Sequence, residues 1–221
     1  MSSPDLEAMY SHRFDDAHKA QMNGVWRAII DVTLQRWIGR DAAVLDVGAG
    51  YCTFINQVAA GRKVAVDANP HNARHAAADV EFIAASSLRD ADLGGRFDVA
   101  FMSNFLEHLP DSDSVLAMLA DVRAVMKPGG RLIVLQPNFA LVGPAYFDFI
   151  DHKTILTDRS LVEALELSGF RVVHLKRRFM PYTSVGSRLP FASWLVRLYL
   201  HLPFAQFLMG KQTLAVAEVA G

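Results

Sequence analysis

Along this chain, short apolar runs alternate with longer stretches whose apolar residues recur at helical spacing. Residues ~5–38 predict a helix, with Val25, Ile29, Val32 and Trp37 near one face. The runs AVLDV (43–47), KVAVD (63–67), VEFIA (80–84), FDVAFM (97–102) and RLIVLQ (131–136) predict strands. They are rich in Val, Ile and Phe, as strands covered on both faces require. Helical segments are expected between them. One is 113–127, with Val115, Leu116, Leu119, Val122 and Met126 on one side and Pro128-Gly129-Gly130 as its stop. Another is 159–169, ending at Gly169, followed by strands at 170–176 and 212–219. Alternating β and α predicts an α/β fold, a doubly wound and mostly parallel sheet with helices on both faces.

The 221 residues predict one domain, 1–221, with an N-terminal helical segment (1–40) and an apolar helical insertion (177–211) before the last strand. Hydrophobic residues make up 52% and charged residues 20%, an ordinary globular balance tilted towards apolar. The net charge of -1 gives no electrostatic footprint for nucleic acid. The single cysteine, Cys52, rules out a disulfide framework within the chain and fits a reducing compartment. The polar, acid-rich start MSSPDLEAMYSHRFDD lacks the basic and apolar regions of a signal peptide. A cytoplasmic location is expected, with peripheral contact at the inner membrane face as an option.

The first strand runs into Asp46 and then breaks into Gly48 and Gly50, with Ala49 between them. Glycine lets a backbone turn sharply and lets a ligand approach closely. In wound sheets, ligands bind beyond the carboxyl ends of the strands. A dinucleotide would favour a third glycine at position 53, which is Thr53. An acid beside the loop repels a diphosphate and attracts a cation. A unit charge pair at ~4 Å in an effective dielectric of ~20 is worth on the order of 4 kcal/mol before desolvation. Asp67 ends the second strand, where a carboxylate can accept hydrogen bonds from a ribose diol. A phosphate-free adenosine compound carrying positive charge, S-adenosyl-L-methionine, meets both requirements.

VLDVGAG, VAVDANP, FDVAFMSNFLEHL (97–109) and VMKPGGRLIVLQPN (125–138) stand in the order of four motifs of a known family. Through them the chain resembles the class I S-adenosylmethionine-dependent methyltransferases, over residues ~42–176 and a final strand. The resemblance implies a Rossmann-like sheet of seven strands whose last strand is antiparallel. It implies that Asp46 supports the methionine end of the cofactor, that Gly48, Ala49 and Gly50 approach it through backbone, and that Asp67 and Ala68 meet the ribose. Two departures stand out. The third glycine of the family's first motif is Cys52 here, and the acid that often ends the third strand is replaced by Ser86 and Ser87, which with Leu88 would flank the adenine. YFDFIDHKT and GKQTLAVAE further resemble bacterial methyltransferases found with polysaccharide or glycolipid biosynthesis, which suggests a small-molecule, glycan or glycolipid acceptor and O-methylation.

The substrate side should be built from three segments on the cofactor's face: Ser103 to His108, residues 137–157, and residues 177–211. Ser103 and Asn104 are also expected at the cofactor. Methyl transfer to a hydroxyl needs a base near pH 7, for which histidine is suited. His108 and His152 are the catalytic candidates, with Asp151 or Asp148 as orienters; a purely structural role for each is the competing reading. The His and Asp residues show no metal-ligand spacing, so no metal is expected. Within 189–209, Ser193, Arg197 and His201 form a polar stripe on an apolar helix broken by Pro203. Arg197 and Pro203 argue against a membrane span. A lid, a homodimer interface and shallow membrane docking, helped by Lys176, Arg177, Arg178 and Arg188, are the readings. Tyr10 or Arg13 could fold over the cofactor, against a solvated helix face. Two other functions compete: a nicotinamide-dependent oxidoreductase, and a non-catalytic binding or assembly module of the same fold.

Overall fold

The computed structural model describes residues 16–182 and 192–220. Tyr10, Arg13, Arg188 and the first residues of the predicted N-terminal helix lie outside the described residues. Strands β1 (Ala43–Val47), β2 (Arg62–Asp67), β3 (Val80–Ala84), β4 (Phe97–Ser103), β5 (Met126–Pro137), β6 (Phe170–Lys176) and β7 (Gln212–Val219) form one sheet in the order β3-β2-β1-β4-β5-β7-β6. The pairings from β3 to β5 are parallel, and β7 runs antiparallel to β5 and β6. This is the expected mostly parallel sheet with a reversed last strand. The central strands β1 and β2 are buried along nearly their whole length, whereas the edge strand β3 has no fully buried residue.

Alternation along the strands sorts the core into two layers. Leu45, Val47, Val64, Val66, Ala100, Met102, Leu132 and Val134 face helices α2 (Ser112–Val125) and α3 (Asp158–Leu167). Val44, Ala65, Val99, Phe101, Ile133 and Leu135 face α1 (Asp16–Ile29) and α4 (Ser193–His201). Side-chain caps start α2 and α3: Asp111 accepts the Ser114 amide, and Thr157 forms a capping box with Ser160.

The connections are barer than the alternation predicts. Between β1 and β2 the chain makes consecutive turns, with Asn56 and Val58 donating to the carbonyls of Cys52 and Phe54 but Gln57 falling back to Phe54. A left-handed Cys52 (φ 55) stands at their start and keeps a regular helix from beginning there. Only a 3-10 turn, Pro70–His75, joins β2 to β3. The helix expected over 113–127 stops at Val125, and its last two residues open the long β5.

The polar stripe of α4 turns towards α1. Arg197 pairs with Asp31 just beyond that helix, and Ser193 lies across from Gly24. Val196 and Leu200 are buried, while Trp194 and Leu198 are exposed. The next helix, α5 (Pro203–Met209), is held by buried Gln206 and leaves Phe204, Phe207 and Leu208 outside. Among the described residues, no helix is long and apolar enough to cross a membrane.

Candidate active site

A cavity of ≈ 330 Å³ continues the α1-side layer past the carboxyl ends of β1, β4 and β5. The parity that buries Val44, Val99 and Ile133 brings Asp46, Phe101, Ser103, Leu135 and Pro137 to its wall. Helix α1 closes the top with Met22, Val25, Trp26 and Ile29. Phe54 stacks on Phe101 at 3.8 Å between ring centroids, and the Trp26 ring meets Phe101 edge-on at 5.8 Å. The described lining residues include two carboxyl groups, Asp46 and Glu107, and no Lys or Arg. Such a wall suits a cationic or neutral ligand and offers nothing to a diphosphate.

The loop after β1 has the local geometry its glycines allow. Gly48 (φ 70) and Gly50 (φ 50) are both left-handed, and the amides of Gly48 and Ala49 donate to the Val66 carbonyl at 2.9 and 3.1 Å. A Cβ on Gly48 would stand 2.3 Å from the Phe105 ring, whereas one on Gly50 would meet nothing within 4 Å. Gly48 is therefore fixed by packing, and Gly50 leaves room for a ligand beside the backbone. Cys52 takes the left-handed conformation that a glycine would adopt freely, and its side chain is fully buried.

Asp46 is 3% exposed. Burial, helped by the neighbouring charge of Asp67, pushes its carboxyl up to about 8, against an opposing backbone hydrogen bond from Ile55. Read from sequence alone, Asp46 is a standing negative charge. In the fold, dehydration favours its protonated form, and a cation beside it would favour its ionisation. Asp67 is already engaged: Oδ2 accepts the Gly50 amide at 2.8 Å, and Oδ1 accepts the Asn69 amide at 2.8 Å and Asn72 Nδ2 at 3.1 Å. A carboxylate offers about four acceptor positions, so about one remains for a sugar hydroxyl rather than the two expected for a diol.

Of the residues read from the sequence, Asp46, Gly48, Ala49, Gly50, Ser103, Asn104, His108 and His152 line the cavity. Asp67, Ala68, Ser86, Ser87 and Leu88 do not. Asp67 sits directly behind Gly50, Ser86 is exposed, and Ser87 Oγ accepts the Arg89 amide. The Leu88 side chain is 4% exposed within the α2-side core, so only its backbone could face a ligand. Asn104 is left-handed (φ 48), with its amide on the Leu135 carbonyl at 2.9 Å, and so turns the chain out of β4. None of the described residues of 189–209 lines the cavity, so α4 and α5 form no wall of it.

The two histidines meet because two loops are stapled together. The Glu107 carbonyl accepts the amides of Lys153 and Thr154, at 2.8 and 3.1 Å. Thr154 Oγ1 donates to the Leu109 carbonyl, and buried Tyr146 donates to the Thr154 carbonyl. His108 and His152 then lie 5.2 Å apart between ring centroids. His108 Nδ1 hydrogen-bonds the Asp151 backbone carbonyl at 3.2 Å, with Asp151 Oδ2 beside it at 3.3 Å, and His152 Nδ1 is 3.4 Å from the Tyr182 hydroxyl. Asp148 shows no such contact with either ring. Burial, and to a lesser degree the charge of Asp151, pushes the Glu107 carboxyl up to about 8, against an opposing pull from its own backbone amide. Although the sequence shows no metal-ligand spacing, Glu107, His108 and His152 each place a ligand atom within 4.8 Å of the others.

Glu107, Phe149 and Tyr182 fall in the three segments expected at the substrate side, though none was given a role, whereas Trp26, Phe101 and Gln212 were not expected at the cavity. Phe101 shares strand parity with Ser103, a signal that was available. Tyr182 reaches the site only through tertiary folding.

A family model described as a methyltransferase domain matches residues 18–175. No curated protein matches the chain. Among solved structures, the chain is similar to one in the Haloferax volcanii complex of the Trm112 methyltransferase activator, with 14% identity, TM-score 0.69 and full coverage of both chains. It is also similar to an S-adenosylmethionine-dependent methyltransferase from Clostridium acetobutylicum, with 12% identity, TM-score 0.65 and coverage of 98% of this chain and 100% of that one. A second S-adenosylmethionine-dependent methyltransferase, from Mesorhizobium loti, has 17% identity, TM-score 0.61 and coverage of 88% of this chain and 97% of that one. At these identities the structures support the fold.

Proposed function

Because this chain belongs to the methyltransferase-domain family, we propose that it transfers a methyl group from S-adenosyl-L-methionine to an oxygen of a small-molecule, glycan or glycolipid acceptor. One observation carries this reading: the acid–glycine loop and the histidine pair share a cavity whose described lining has no Lys or Arg. The cofactor supplies an electrophilic methyl group on a sulfonium.

In this reading Asp46 ionises beside the cationic methionine end, and Gly48 to Gly50 lie against it through backbone. Asp67 takes a ribose hydroxyl with its remaining acceptor position, next to Ala68, while backbone around Ser86 to Leu88 borders the adenine. Trp26, Phe54 and Phe101 keep water from the reacting carbon. His108, oriented by Asp151, and His152 hold the acceptor hydroxyl ~3–3.5 Å from the methyl carbon. One imidazole would take the proton that the acceptor hydroxyl gives up on receiving the methyl group that bound cofactor supplies.

The test is incubation with methyl-labelled cofactor and fractionated host extract, followed by mass analysis. A labelled oxygen-methylated product is expected from the wild type and none from His108→Ala with His152→Ala. Unchanged labelling by that variant would remove the histidines from the reaction. Thermal stabilisation by NAD(H) and none by S-adenosylhomocysteine would favour the oxidoreductase instead. A non-catalytic module would bind S-adenosylhomocysteine and label nothing.

For contacts outside the chain, this reading uses the exposed face of Trp194, Phe204, Phe207 and Leu208, either as a peripheral membrane contact or as a homodimer interface. Trp194→Ser with Phe207→Ser should abolish vesicle co-sedimentation in the first case and reduce the elution size in the second.

A further inference from the structure

Among the described residues that line the cavity, Glu107 alone has buried side-chain oxygens without a hydrogen-bond partner. It is 2% exposed, yet neither carboxylate oxygen has a hydrogen-bond partner among the described residues. Buried polar groups in folded proteins are almost always satisfied, so an orphaned pair of oxygens on a cavity wall points to something that binds there. Two imidazoles lie beside it. One ligand atom from each of Glu107, His108 and His152 falls within 4.8 Å of the other two. Their chain positions come from separate loops, held together by the Lys153 and Thr154 amides on the Glu107 carbonyl.

The support behind the cluster also suits a metal. His108 Nδ1 lies 3.2 Å from the Asp151 backbone carbonyl, its hydrogen-bond partner, with the Asp151 carboxylate at 3.3 Å, which leaves Nε2 as the ring nitrogen for a ligand. A carboxylate behind a ligating imidazole fixes its tautomer and raises its basicity. We propose that Glu107, His108 and His152 bind one divalent transition-metal ion of the zinc or manganese class.

Two imidazoles and one carboxylate favour such an ion over magnesium, which prefers an all-oxygen octahedral shell. Bonds of ~2.1 Å at tetrahedral angles put donor atoms about 3.4 Å apart, which small side-chain rotations would reach from here. Three protein ligands leave a fourth position open. The role of the ion rests on the acceptor named above and would replace the imidazole base there: the open position would take an oxygen of the acceptor and lower the pKa of its hydroxyl, and solvent would take the proton in place of a ligating imidazole.

The test uses the full chain, stripped with a chelator and dialysed. Zinc titration by calorimetry, with metal analysis of the reloaded protein, should give one ion per chain. Magnesium at the same concentration should bind at least ~10-fold more weakly. Glu107→Gln and His152→Ala should each weaken zinc at least ~10-fold, and Asp151→Asn, which keeps the backbone carbonyl on His108 Nδ1, should weaken it less than either. Cobalt in place of zinc should give intense visible bands in the wild type that His152→Ala loses. Should Glu107→Gln fail to fold, His152→Ala carries the comparison, with S-adenosylhomocysteine affinity as its folding control. No zinc or manganese uptake, or uptake equal in the variants, overturns the site. Zinc bound without any methyl transfer keeps the ion site and removes its assigned role. Methyl transfer with no metal uptake overturns the ion site and its role and leaves the methyl-transfer reading standing.

Discussion

The Gly50 amide donates to Asp67 Oδ2 at 2.8 Å, so the glycine loop after β1 is fastened to the end of β2. The side chain read as the ribose acceptor thus also shapes the loop that would hold the methionine end. Asp67→Ala should weaken S-adenosylhomocysteine binding by more than the ~1 kcal/mol of one lost hydrogen bond, because it also frees the Gly50 amide. Asp67→Asn keeps one oxygen acceptor and should fall between. Calorimetry checks this, and equal affinity in wild type and Asp67→Ala would remove Asp67 from the site.

The two glycines should respond differently to the same substitution. Both are left-handed, so alanine at either costs roughly 1–2 kcal/mol of backbone strain. At Gly48 the added methyl also strikes the Phe105 ring, at 2.3 Å, whereas at Gly50 it meets nothing. Gly48→Ala should therefore lower the melting temperature well beyond Gly50→Ala. Gly50→Ala should keep most of its stability and lose cofactor affinity, since its new methyl projects into open space that a ligand would use. Melting curves with and without S-adenosylhomocysteine separate the two effects.

Asp46 gives a pH signature of known sign. Its carboxyl is held up to about 8 in the folded chain, against about 3.9 when unfolded. Between these values the folded state holds a proton that the unfolded state has lost. Its contribution to stability is fully present below pH ~4 and is lost as pH rises through about 8, at up to ~1.4 kcal/mol per unit. Asp46→Asn should flatten this part of the denaturation profile. Cofactor binding should show the opposite slope: a cation favours the ionised carboxylate, so affinity should rise from pH 6 to 8 with release of a proton. Calorimetry in buffers of different ionisation enthalpy measures that release, and pH-independent affinity without proton release would show that Asp46 does not meet the positive charge.

The strands were legible because β1, β2, β4 and β5 are covered on both faces and read as unbroken apolar runs, whereas their order in the sheet is set by tertiary pairing that such runs do not encode. The reversed β7 followed from the family resemblance, since an apolar run carries no direction. The β1–β2 connection was misjudged because its apolar residues, Phe54, Ile55 and Val58, suit a helix while Cys52 forces a left-handed turn. The cofactor loop was legible because its chemistry is local: Asp46, Gly48 and Gly50 lie within five residues. The acceptor wall was only half legible. His108 and His152 could be nominated singly, but the orphaned Glu107 carboxylate appears only when the 143–157 loop seals over it. The polar stripe on α4 misled for the same reason, since its partner, Asp31, lies far away in the chain.

Cys52 supplies an internal reporter of the loop. It is fully buried, and burial, together with the charges of Asp46 and Asp67, pushes its thiol up to about 12. The thiolate is the reactive form, and an unfolded cysteine titrates near 8.5. At pH 8 the folded thiol should therefore react with iodoacetamide only when the loop opens, whereas the urea-unfolded chain should react at an ordinary rate. Ligand that closes over Gly48 to Gly50 should slow the native reaction further, and NAD(H) should not. Cys52→Gly tests the cost of this residue. Glycine relieves roughly 1–2 kcal/mol of left-handed strain but gives up buried volume and adds unfolded-state entropy, each of order 1 kcal/mol. The balance should lie within ~1 kcal/mol of zero, with S-adenosylhomocysteine affinity retained. A loss of several kcal/mol would mean that the thiol packs the β1–β2 turns more tightly than its backbone strains them.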